Sequence, residues 1–487
     1  MLQLSLTLLS CLPFASAIQE EVDALPAPQA EITQRELKHH LGFLASDELR
    51  GRAAGSPEAH RAARYLGRAL AAAGAAPAGD GDGYLQAMTL VSYEHSEAPR
   101  LQATQPEGEA LSFVHGIGFQ VRVNAAPVSS PVLYVLHVDA VDELPGEADA
   151  SVALFIDSNT RKAYELLEAG GSPRGAGWGL ILTAGRPSDG RSEARPFGRL
   201  GLDSSESASG PDFVSANGSF LEALRTGAID TVQLSYQSKR VEQQDYNVIG
   251  RIAGVGTEEH PEMADECIVF SAHYDHVGVV KSGSGHGDGE HAEEGLEGQD
   301  LIYNGADDDA SGTAAVLELA QAFAAGAPPA RTLIFLLAAG EEVGLLGTNF
   351  YLEHPAHPLE QTVTNLNFEM IGRPDELVGG SGKLWLTGFE RTTLGPAYQE
   401  ASLGVLPDPR PSMQYFRRSD NYAFAVRGIV GQTLSSYNSH SDYHQVSDEL
   451  ETIDFEHMAL AMGEAFKAAQ MLADGSLRPE WLPGGKP

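Results

Sequence analysis

The second half of the chain alternates short apolar runs with amphipathic segments. Six runs from Asn247 onward have the length of strands: NVIGRIAG, CIVFSAHYD, TLIFLLAAG, TNLNFEMIG, KLWLTG and GIVGQTL. Between them, helical periodicity predicts helices over about residues 311–325, 341–354, 393–403 and 455–473. Continuous apolar strands that alternate with such helices indicate a parallel sheet covered on both faces. We therefore predict an α/β fold with a mixed, largely parallel sheet sandwiched by helices.

The first half of the chain contains two regions with different predicted secondary structure. Near the N-terminus a helix is predicted after Ser56, which can cap it, with Pro57 in its first position and Gly74 at its end. Over residues 96–240, strand-like runs such as PVLYVLHVD, ASVALFID and WGLILTAG alternate with turns rich in Gly, Pro, Ser and Asp. This stretch is typical of a small β-rich domain inserted into the larger one.

The net charge of the chain limits the classes of partner that it can bind. The 487 residues carry a formal net charge of −35. This charge excludes nucleic acid as a ligand, because phosphates require Lys and Arg, and it disfavours an anionic membrane surface. It is typical of a solvated acidic surface that keeps a protein soluble. The alternative is that acidic ligands draw cations to a site. The Gly-rich acidic segment 281–300 is likewise expected to be a solvated loop, with a secondary cation site as the alternative.

The N-terminal segment bears on location. Residues 1–17 predict a secretory signal, because a short apolar run precedes an Ala-Ser-Ala cleavage site. Lipid attachment at Cys11 is the alternative. No other run reaches the roughly 20 apolar residues of a transmembrane helix. After cleavage only Cys267 remains, which excludes an intramolecular disulfide. We expect a secreted or periplasmic protein without a membrane span.

Candidate chemistry falls where the predicted strands end. His273 and Asp275 end one strand, Glu369 follows another, and residues 304–312, NGADDDASG, precede a helix. Small residues around Asp308 let its carboxylate approach a metal ion. Asp275 can orient the imidazole of His273. Since ligands bind beyond the carboxyl ends of parallel strands, these groups are expected to meet there.

Two further groups complete the candidate site. Glu341 and Glu342 are adjacent carboxylates, which repel unless a positive charge lies near them. One can bind a metal while the other acts as general base. His444 lies in the polar loop SHSDYHQVSD, with His440 and Asp442 as competitors for its role. Imidazole and carboxylate are ligands that zinc prefers, and a two-ion site needs a carboxylate between the ions.

Several motifs in this order resemble those of the two-zinc aminopeptidase family, which also includes glutamate carboxypeptidase-like enzymes. They are SAHYDHVG, NGADDDASGTAAVLELA, GEEVGLLGTNFYLEHP, NFEMIGR and DYHQVSD. The resemblance implies four parts of the chain. Residues 1–17 are the signal peptide and residues 30–95 are the N-terminal helical part of the catalytic domain. Residues 96–240 are an inserted protease-associated-like domain, and residues 241–475 are the zinc peptidase catalytic domain.

The resemblance also implies a role for each residue at the first zinc ion. His273 falls on the first-zinc histidine and Asp275 on its orienting carboxylate. Asp308, the second Asp of the family's loop, falls on the ligand that bridges the two ions. Glu369 stands where the family usually has Asp as the remaining first-zinc ligand. This departure adds a methylene group, so the carboxylate must bend or the ion must move.

The remaining roles belong to the second zinc ion and to catalysis. Glu341 falls on the general base and Glu342 on the second-zinc carboxylate. His444 falls on the second-zinc histidine, and Tyr443 on a tyrosine that in some members stabilises the oxyanion. Asn421 stands where relatives often have His, so no role is carried over to it.

The resemblance therefore predicts a secreted zinc-dependent aminopeptidase with two zinc ions, in which Glu341 activates a water that attacks the N-terminal peptide bond of peptides. A carboxypeptidase or dipeptidase on the same scaffold is the first alternative. It would need a cationic pocket, for which Arg417 and Arg418 are candidates. A non-catalytic binding protein is the second alternative. The sequence indicates neither the preferred side chain nor the oligomeric state.

Overall fold

The structure is a computed structural model, and it describes residues 31–115, 117–121, 128–172, 177–185, 200–202, 212–279 and 299–487. The predicted signal segment 1–17 lies outside the described residues, as does most of the acidic segment 281–300.

Strands and helices are numbered here in chain order. The described strands are β1 (Ala76–Pro77), β2 (Leu85–Thr104), β3 (Ala110–Val114), β4 (Phe119–Val121), β5 (Val128–Ser129), β6 (Leu133–His137), β7 (Val152–Ile156), β8 (Leu180–Ala184), β9 (Gly201–Leu202), β10 (Asp212–Ala216), β11 (Thr231–Ile252), β12 (Cys267–His273), β13 (Gly278–Val279), β14 (Ile302–Tyr303), β15 (Thr332–Ala338), β16 (Thr362–Phe368), β17 (Leu384–Leu386), β18 (Val405–Pro407) and β19 (Val430–Ser435). The described α-helices are α1 (Gln34–Leu44), α2 (Pro57–Ala72), α3 (Thr160–Ala169), α4 (Gly218–Arg225), α5 (Gly312–Ala325), α6 (Leu346–Glu353), α7 (Leu394–Glu400), α8 (Asn421–Ala425) and α9 (Phe455–Ala473). Short 3₁₀ turns lie at Asp47–Arg52, Val141–Glu143, Pro261–Asp265, Leu359–Gln361, Glu376–Val378, Phe389–Arg391, Pro411–Met413, Tyr415–Arg417 and Leu450–Thr452.

The chain folds into two compact units. Of the described residues, those up to Met88 and from Gln244 onward belong to unit 1, and those between Thr89 and Gln243 belong to unit 2. In unit 1 the strands pair in the order β1, β11, β15, β12, β16, β19, β17, β18. The four central strands, β15, β12, β16 and β19, are parallel. Strand β11 is antiparallel to β1 and β15, and β17 is antiparallel to β19 but parallel to β18. This mixed, largely parallel sheet confirms the predicted α/β class.

The central strands are buried along their whole length. Every residue of β12, β15 and β16 is buried, as expected for a parallel sheet with helices on both faces. The register pairs His273 at the end of β12 with Ala338 at the end of β15. It also pairs Phe368 at the end of β16 with Leu434 in β19. The carboxyl ends of these strands therefore meet at one edge.

Local capping explains where the long helices begin. The Oγ of Ser56 accepts a hydrogen bond from the N–H of Ala59, so α2 begins as predicted. Helix α9 occupies the predicted residues 455–473. Thr33 caps helix α1: the N–H of Glu36 donates to the Thr33 hydroxyl oxygen, and the Thr33 hydroxyl donates to the Glu36 carboxylate.

One predicted helix is shorter than its periodicity indicates. Residues 341–345 form a turn, and α6 begins only at Leu346. Leu345 lies in the left-handed region with φ of 58°, which interrupts the helix. Glu341 and Glu342 therefore lie in a turn after β15.

Unit 2 has its own sheet and core. Strands β6, β7, β8 and β10 are parallel in that order, and β4 pairs antiparallel with β10. Its largest apolar cluster contains Phe119, Phe155, Phe220 and Tyr236. Helices α3 and α4 accompany the strands. That this unit is a protease-associated domain stays a prediction.

Helix α5 carries a buried acid into the helical layer of unit 1. Glu318 is 1% exposed, its Oε1 lies 3.5 Å from the Nε2 of His40, and its Oε2 has no hydrogen-bond partner among the described residues. Burial, with the Glu36 carboxylate adding repulsion, raises the pKa of Glu318 to about 9. The protonated form is therefore the one that the fold favours.

Among the helices that the structure describes, none is both long enough and apolar enough to cross a membrane.

We expect the buried Glu318 to make stability fall as pH rises. Between its ordinary pKa of 4.5 and the folded-state value of about 9, the unfolded chain has lost a proton that the folded chain keeps. The free energy of unfolding therefore decreases across this window. Glu318→Gln should raise Tm at pH 8 by several degrees, since 1 kcal/mol corresponds to roughly 2–4 °C in a domain of 150–250 residues. At pH 5 the change should be small. Thermal unfolding across pH measures this.

The matched control is Glu400→Gln, which changes an exposed glutamate at the end of α7. Its Tm should follow the parent at every pH. Parallel pH profiles for the parent and Glu318→Gln would show that Glu318 does not titrate between the two states.

Candidate metal centre

The parallel strands deliver the candidate side chains to one edge of the sheet. His273 is the last residue of β12, and Glu369 directly follows β16. After β15 the chain turns at Gly340, whose φ is +71°, and presents Glu341 and Glu342. The loop after β19 supplies the histidines and the tyrosine of residues 440–444.

The aspartate loop is fixed by its own neighbours. Residues Ala306–Ser311 form a π-type turn before α5, and the Asp308–Asp309 peptide bond is cis. The Asp309 carboxylate accepts hydrogen bonds from the backbone N–H groups of His273, Gly312 and Met370. These bonds tie the loop to the ends of β12 and β16 and leave the Asp308 carboxylate directed at the candidate site.

Two groups of potential metal ligands converge there. One consists of His273, Asp308 and Glu369; the other consists of His276, Asp308, Glu342 and His444. Within each group the ligand atoms lie within 4.8 Å of one another. Asp308 belongs to both groups: its Oδ1 lies 3.4 Å from His273 Nε2, and its Oδ2 lies 3.1 Å from His444 Nε2. The two oxygens of Asp308 therefore face different ligand groups.

The candidate ligand atoms are better satisfied by a metal ion than by hydrogen bonds to one another. Several are buried and have no hydrogen-bond partner among the described residues: His273 Nε2, both ring nitrogens of His276, Glu342 Oε1 and Glu369 Oε2. Buried polar atoms without partners are costly. Because nitrogen and carboxylate oxygen converge on common points, a cation such as zinc would satisfy them together.

The electrostatics of the candidate site reflect crowded carboxylates. Burial raises the pKa of Glu369 to about 7 and that of Glu341 well above its usual range, with neighbouring carboxylates adding to the effect on Glu341. Burial opposes a charge on His444, but the close carboxylates of Asp308 and Glu342 outweigh it and raise the His444 pKa to about 10. The clustered carboxylates therefore favour positively charged groups beside them.

Asp275 lies behind the candidate ligands. Its carboxylate accepts hydrogen bonds from the N–H groups of Glu341, at 3.1 Å, and Glu342, at 3.4 Å. The Nδ1 of His273 lies 3.1 Å from the Asp275 carbonyl oxygen and 3.7 Å from its carboxylate. Burial raises the pKa of Asp275 to about 7. Asp275 thus positions the turn of the acidic pair as well as the imidazole.

Tyr443 lies against the second ligand group. Its ring stacks on that of His444, with centroids 4.0 Å apart. Burial, with the carboxylates of Asp308 and Glu342 adding repulsion, raises the pKa of Tyr443 above its usual value. The hydroxyl therefore stays protonated and can donate a hydrogen bond.

The structure also separates the competitors from the candidate ligands. His440 Nε2 lies 3.0 Å from Asp307 Oδ2 and belongs to neither ligand group. Asn421 donates to the carbonyl oxygens of Phe416 and Gly431, so it holds the backbone before β19.

His276 is the candidate ligand that the sequence analysis did not identify. It follows Asp275 directly, in a second His position of the motif HYDH. The repeated histidine was the available signal, but the pattern does not indicate which way the side chain after a strand end points.

Arg373 supports the candidate site from behind. Its guanidinium donates to Asp442 at 2.5 Å and to the buried Asp448 at 2.9 Å. The Asp448 carboxylate in turn accepts from the N–H groups of Asp307 and Asp308. One arginine thus connects the histidine loop with the aspartate loop.

Part of the chain matches a family model, and the chain is also similar to curated proteins. Residues 247–468 match the family model described as Peptidase family M28. A vacuolar membrane protease of Lachancea thermotolerans is 25% identical over 255 residues, which are 50% of this chain and 22% of that protein. A vacuolar membrane protease of Schizophyllum commune is 29% identical over 228 residues, which are 45% of this chain and 21% of that protein. The chain therefore spans about a fifth of the length of these relatives.

A solved structure has a similar fold. The aminopeptidase from Aneurinibacillus sp. strain AM-1 superposes with a TM-score of 0.57 and 18% sequence identity, covering 94% of this chain and 96% of that one. At this identity the likeness concerns the fold alone, and it agrees with the α/β class derived above.

The predicted secreted or periplasmic location is wrong by these comparisons. Both curated relatives are named as vacuolar membrane proteases, which is a different compartment. The physical reason is that a short apolar run at an N-terminus does not specify the compartment in which a protein ends.

We expect Arg373→Ala to lower both stability and metal affinity. Removing the guanidinium leaves the carboxylate of Asp448 buried beside Asp307, and breaking a buried pair in this way costs about 3–5 kcal/mol. The histidine loop also loses its connection to the aspartate loop, so zinc should bind more weakly. Denaturant unfolding and zinc titration measure the two effects.

Arg331→Ala is the control, because Arg331 forms a buried pair with Glu266 at 2.6 Å near the amino ends of the strands. It should lower stability without changing zinc affinity. Equal zinc affinity in Arg373→Ala and the parent would contradict the proposed support.

Proposed function

We propose that this chain, whose residues 247–468 match the family model described as Peptidase family M28, is a zinc-dependent aminopeptidase that uses two ions to hydrolyse the N-terminal peptide bond of peptides. The observation that carries the proposal is the pair of ligand groups that share Asp308, with Glu341 beside them and in neither group. A shared carboxylate between two groups is what a two-metal hydrolase requires.

The ligands divide between the two ions. His273, Asp308 and Glu369 would hold the first ion, and Asp308, Glu342 and His444 the second. The longer Glu369 side chain still reaches the first group, which supports its role in place of the usual aspartate. Zinc ions bound there would supply Lewis acidity toward a peptide carbonyl and make a water molecule easier to deprotonate.

Glu341 is the proposed general base. Its Oε2 lies 4.0 Å from His273 Nε2, at the rim of the first ligand group. Burial raises its pKa, and nearby cations would bring that pKa back toward the operating pH, where a general base is most effective. Glu341 would take a proton from water and return it to the leaving amine.

Tyr443 and the surrounding carboxylates would orient the peptide substrate. The protonated Tyr443 hydroxyl can donate to the oxyanion that develops on the substrate carbonyl. The crowded carboxylates would favour a free α-ammonium group at the end of a peptide.

A carboxypeptidase or dipeptidase is the second candidate, because a cation lies within electrostatic range of the candidate site. Arg418 stands over the ring of Tyr415 at 5.4 Å and favours the ionised form of Tyr443. An arginine there could recognise a substrate carboxylate.

Substrate blocking distinguishes the two candidates. We expect aminoacyl-chromogenic substrates with a free amino group to be hydrolysed, with loss of activity in a zinc chelator and recovery on zinc addition. Peptides with a blocked amino group and a free carboxylate should be inert. Hydrolysis of the second set in preference to the first would support the carboxypeptidase, and a rate unaffected by the chelator would contradict both.

Substitution of the two adjacent glutamates should have different effects on rate and zinc content. Glu341→Gln keeps the shape of the side chain and removes the proton acceptor, so the rate should fall by about 10²–10⁴-fold with zinc content intact. Glu342→Gln should lose one ion and recover part of its activity in added zinc. Each variant needs both kcat and zinc content. Loss of zinc in Glu341→Gln, or a parent-like rate, would show that the two roles are assigned wrongly.

A further inference from the structure

We infer that His276 is a fourth protein ligand of the ion held by Asp308, Glu342 and His444. This inference rests on the proposed two-zinc function and assigns one more residue to it. The second ion would then have two imidazole and two carboxylate groups, whereas the first has His273 and two carboxylates.

The position of the ring carries the inference. His276 Nδ1 lies 2.8 Å from Glu342 Oε1 and 4.0 Å from Asp308 Oδ2. Its ring is 5.5 Å from that of His444, centroid to centroid, and nearly perpendicular to it. The nitrogen of His276 therefore contacts the same Glu342 oxygen that His444 Nε2 approaches at 3.1 Å.

One contact within the protein does not account for the whole placement. The His276 side chain is fully buried, and its Nε2 has no hydrogen-bond partner among the described residues. Its Nδ1 lies in ion-pair range of Glu342 Oε1, the same oxygen that His444 Nε2 approaches at 3.1 Å. Two imidazoles that converge on one buried carboxylate have the arrangement of ligands of a common ion.

The backbone holds the ring in this position. The N–H of His276 donates to the carbonyl oxygen of Arg52 at 3.3 Å. On the other side, Gly305 adopts a left-handed φ of 56°, and a Cβ there would lie 2.5 Å from His276 Cδ2. The absence of a side chain at Gly305 thus leaves the space that the imidazole fills.

The consequence is that the two ions are unequal. Zinc with four protein ligands is coordinatively closed, whereas zinc with three keeps a position open. The second ion would be the tightly held one. The first, beside Glu341, would be the one with room for water or substrate.

The test measures zinc affinity rather than activity. The metal-free full-length chain is titrated with zinc against a chromophoric chelator, and the parent should bind two ions of unequal affinity. In His276→Asn, we expect the affinity of the tighter ion to fall by more than about 100-fold, because residues that only position a ligand cost about 10–100-fold. A loss within or below that range would overturn the inference.

Three variants serve as controls. His457→Asn changes another buried histidine, whose nitrogens bond to Gly382 N–H and to Ser436 Oγ, and both ions should remain. His444→Asn should weaken the same ion as His276→Asn, and Glu369→Ala the other one. Circular dichroism of the metal-free variants checks that each is folded.

A measurement on the parent protein keeps the inference testable if His276→Asn does not fold. X-ray absorption of the parent loaded with one zinc equivalent should show two imidazoles on the ion, and one imidazole would overturn the inference. A parent that binds two zinc ions but cleaves no peptide would sink the proposed function alone. Parent-like zinc affinity in His276→Asn, with active parent enzyme, would sink the inference alone.

Discussion

Buried negative charge at the carboxyl ends of the parallel strands is the constraint on which the rest of the structure depends. Carboxylates without partners are costly to bury, and the fold treats them in two ways. Asp275, Asp309 and Asp448 accept hydrogen bonds from backbone N–H groups of the strand ends and loops. Glu342 and Glu369 each have a buried oxygen without such a bond among the described residues. The backbone stabilises the first set, and the oxygens of the second remain available to a cation.

Arg52 extends this charge balance to the N-terminal part of the chain. Its buried guanidinium donates to the carbonyl oxygens of Leu44, Tyr274, Asn304 and Gly305. Burial lowers the Arg52 pKa to about 10, while nearby aspartates favour its charge. One side chain thus joins the end of α1, the end of β12 and the aspartate loop. The helical segment before residue 247 therefore supports the candidate site although it lies outside the family match.

The sequence predicts the fold well where the pattern is long and local. The apolar runs of β12, β15 and β16 and the periodicity of α9 determine their elements, because burial decides them residue by residue. Residues 341–345 also have helical periodicity, but they form a turn whose N–H groups at Glu341 and Glu342 bond to Asp275. That partner is remote in sequence, so no local pattern reveals it. The direction of the His276 ring likewise depends on Gly305 and not on its neighbours in the motif.

If two ions bind as proposed, the sharing of Asp308 between both ligand groups would link their binding thermodynamically. An ion on one carboxylate oxygen would withdraw charge from the other, so occupancy at one position would change the affinity at its neighbour. Such a coupling free energy is reciprocal: whatever the first ion does to the affinity of the second, the second does to the affinity of the first. Zinc binding would then be cooperative. Repulsion between the ions would favour negative cooperativity, and ordering of the shared ligands would favour positive cooperativity.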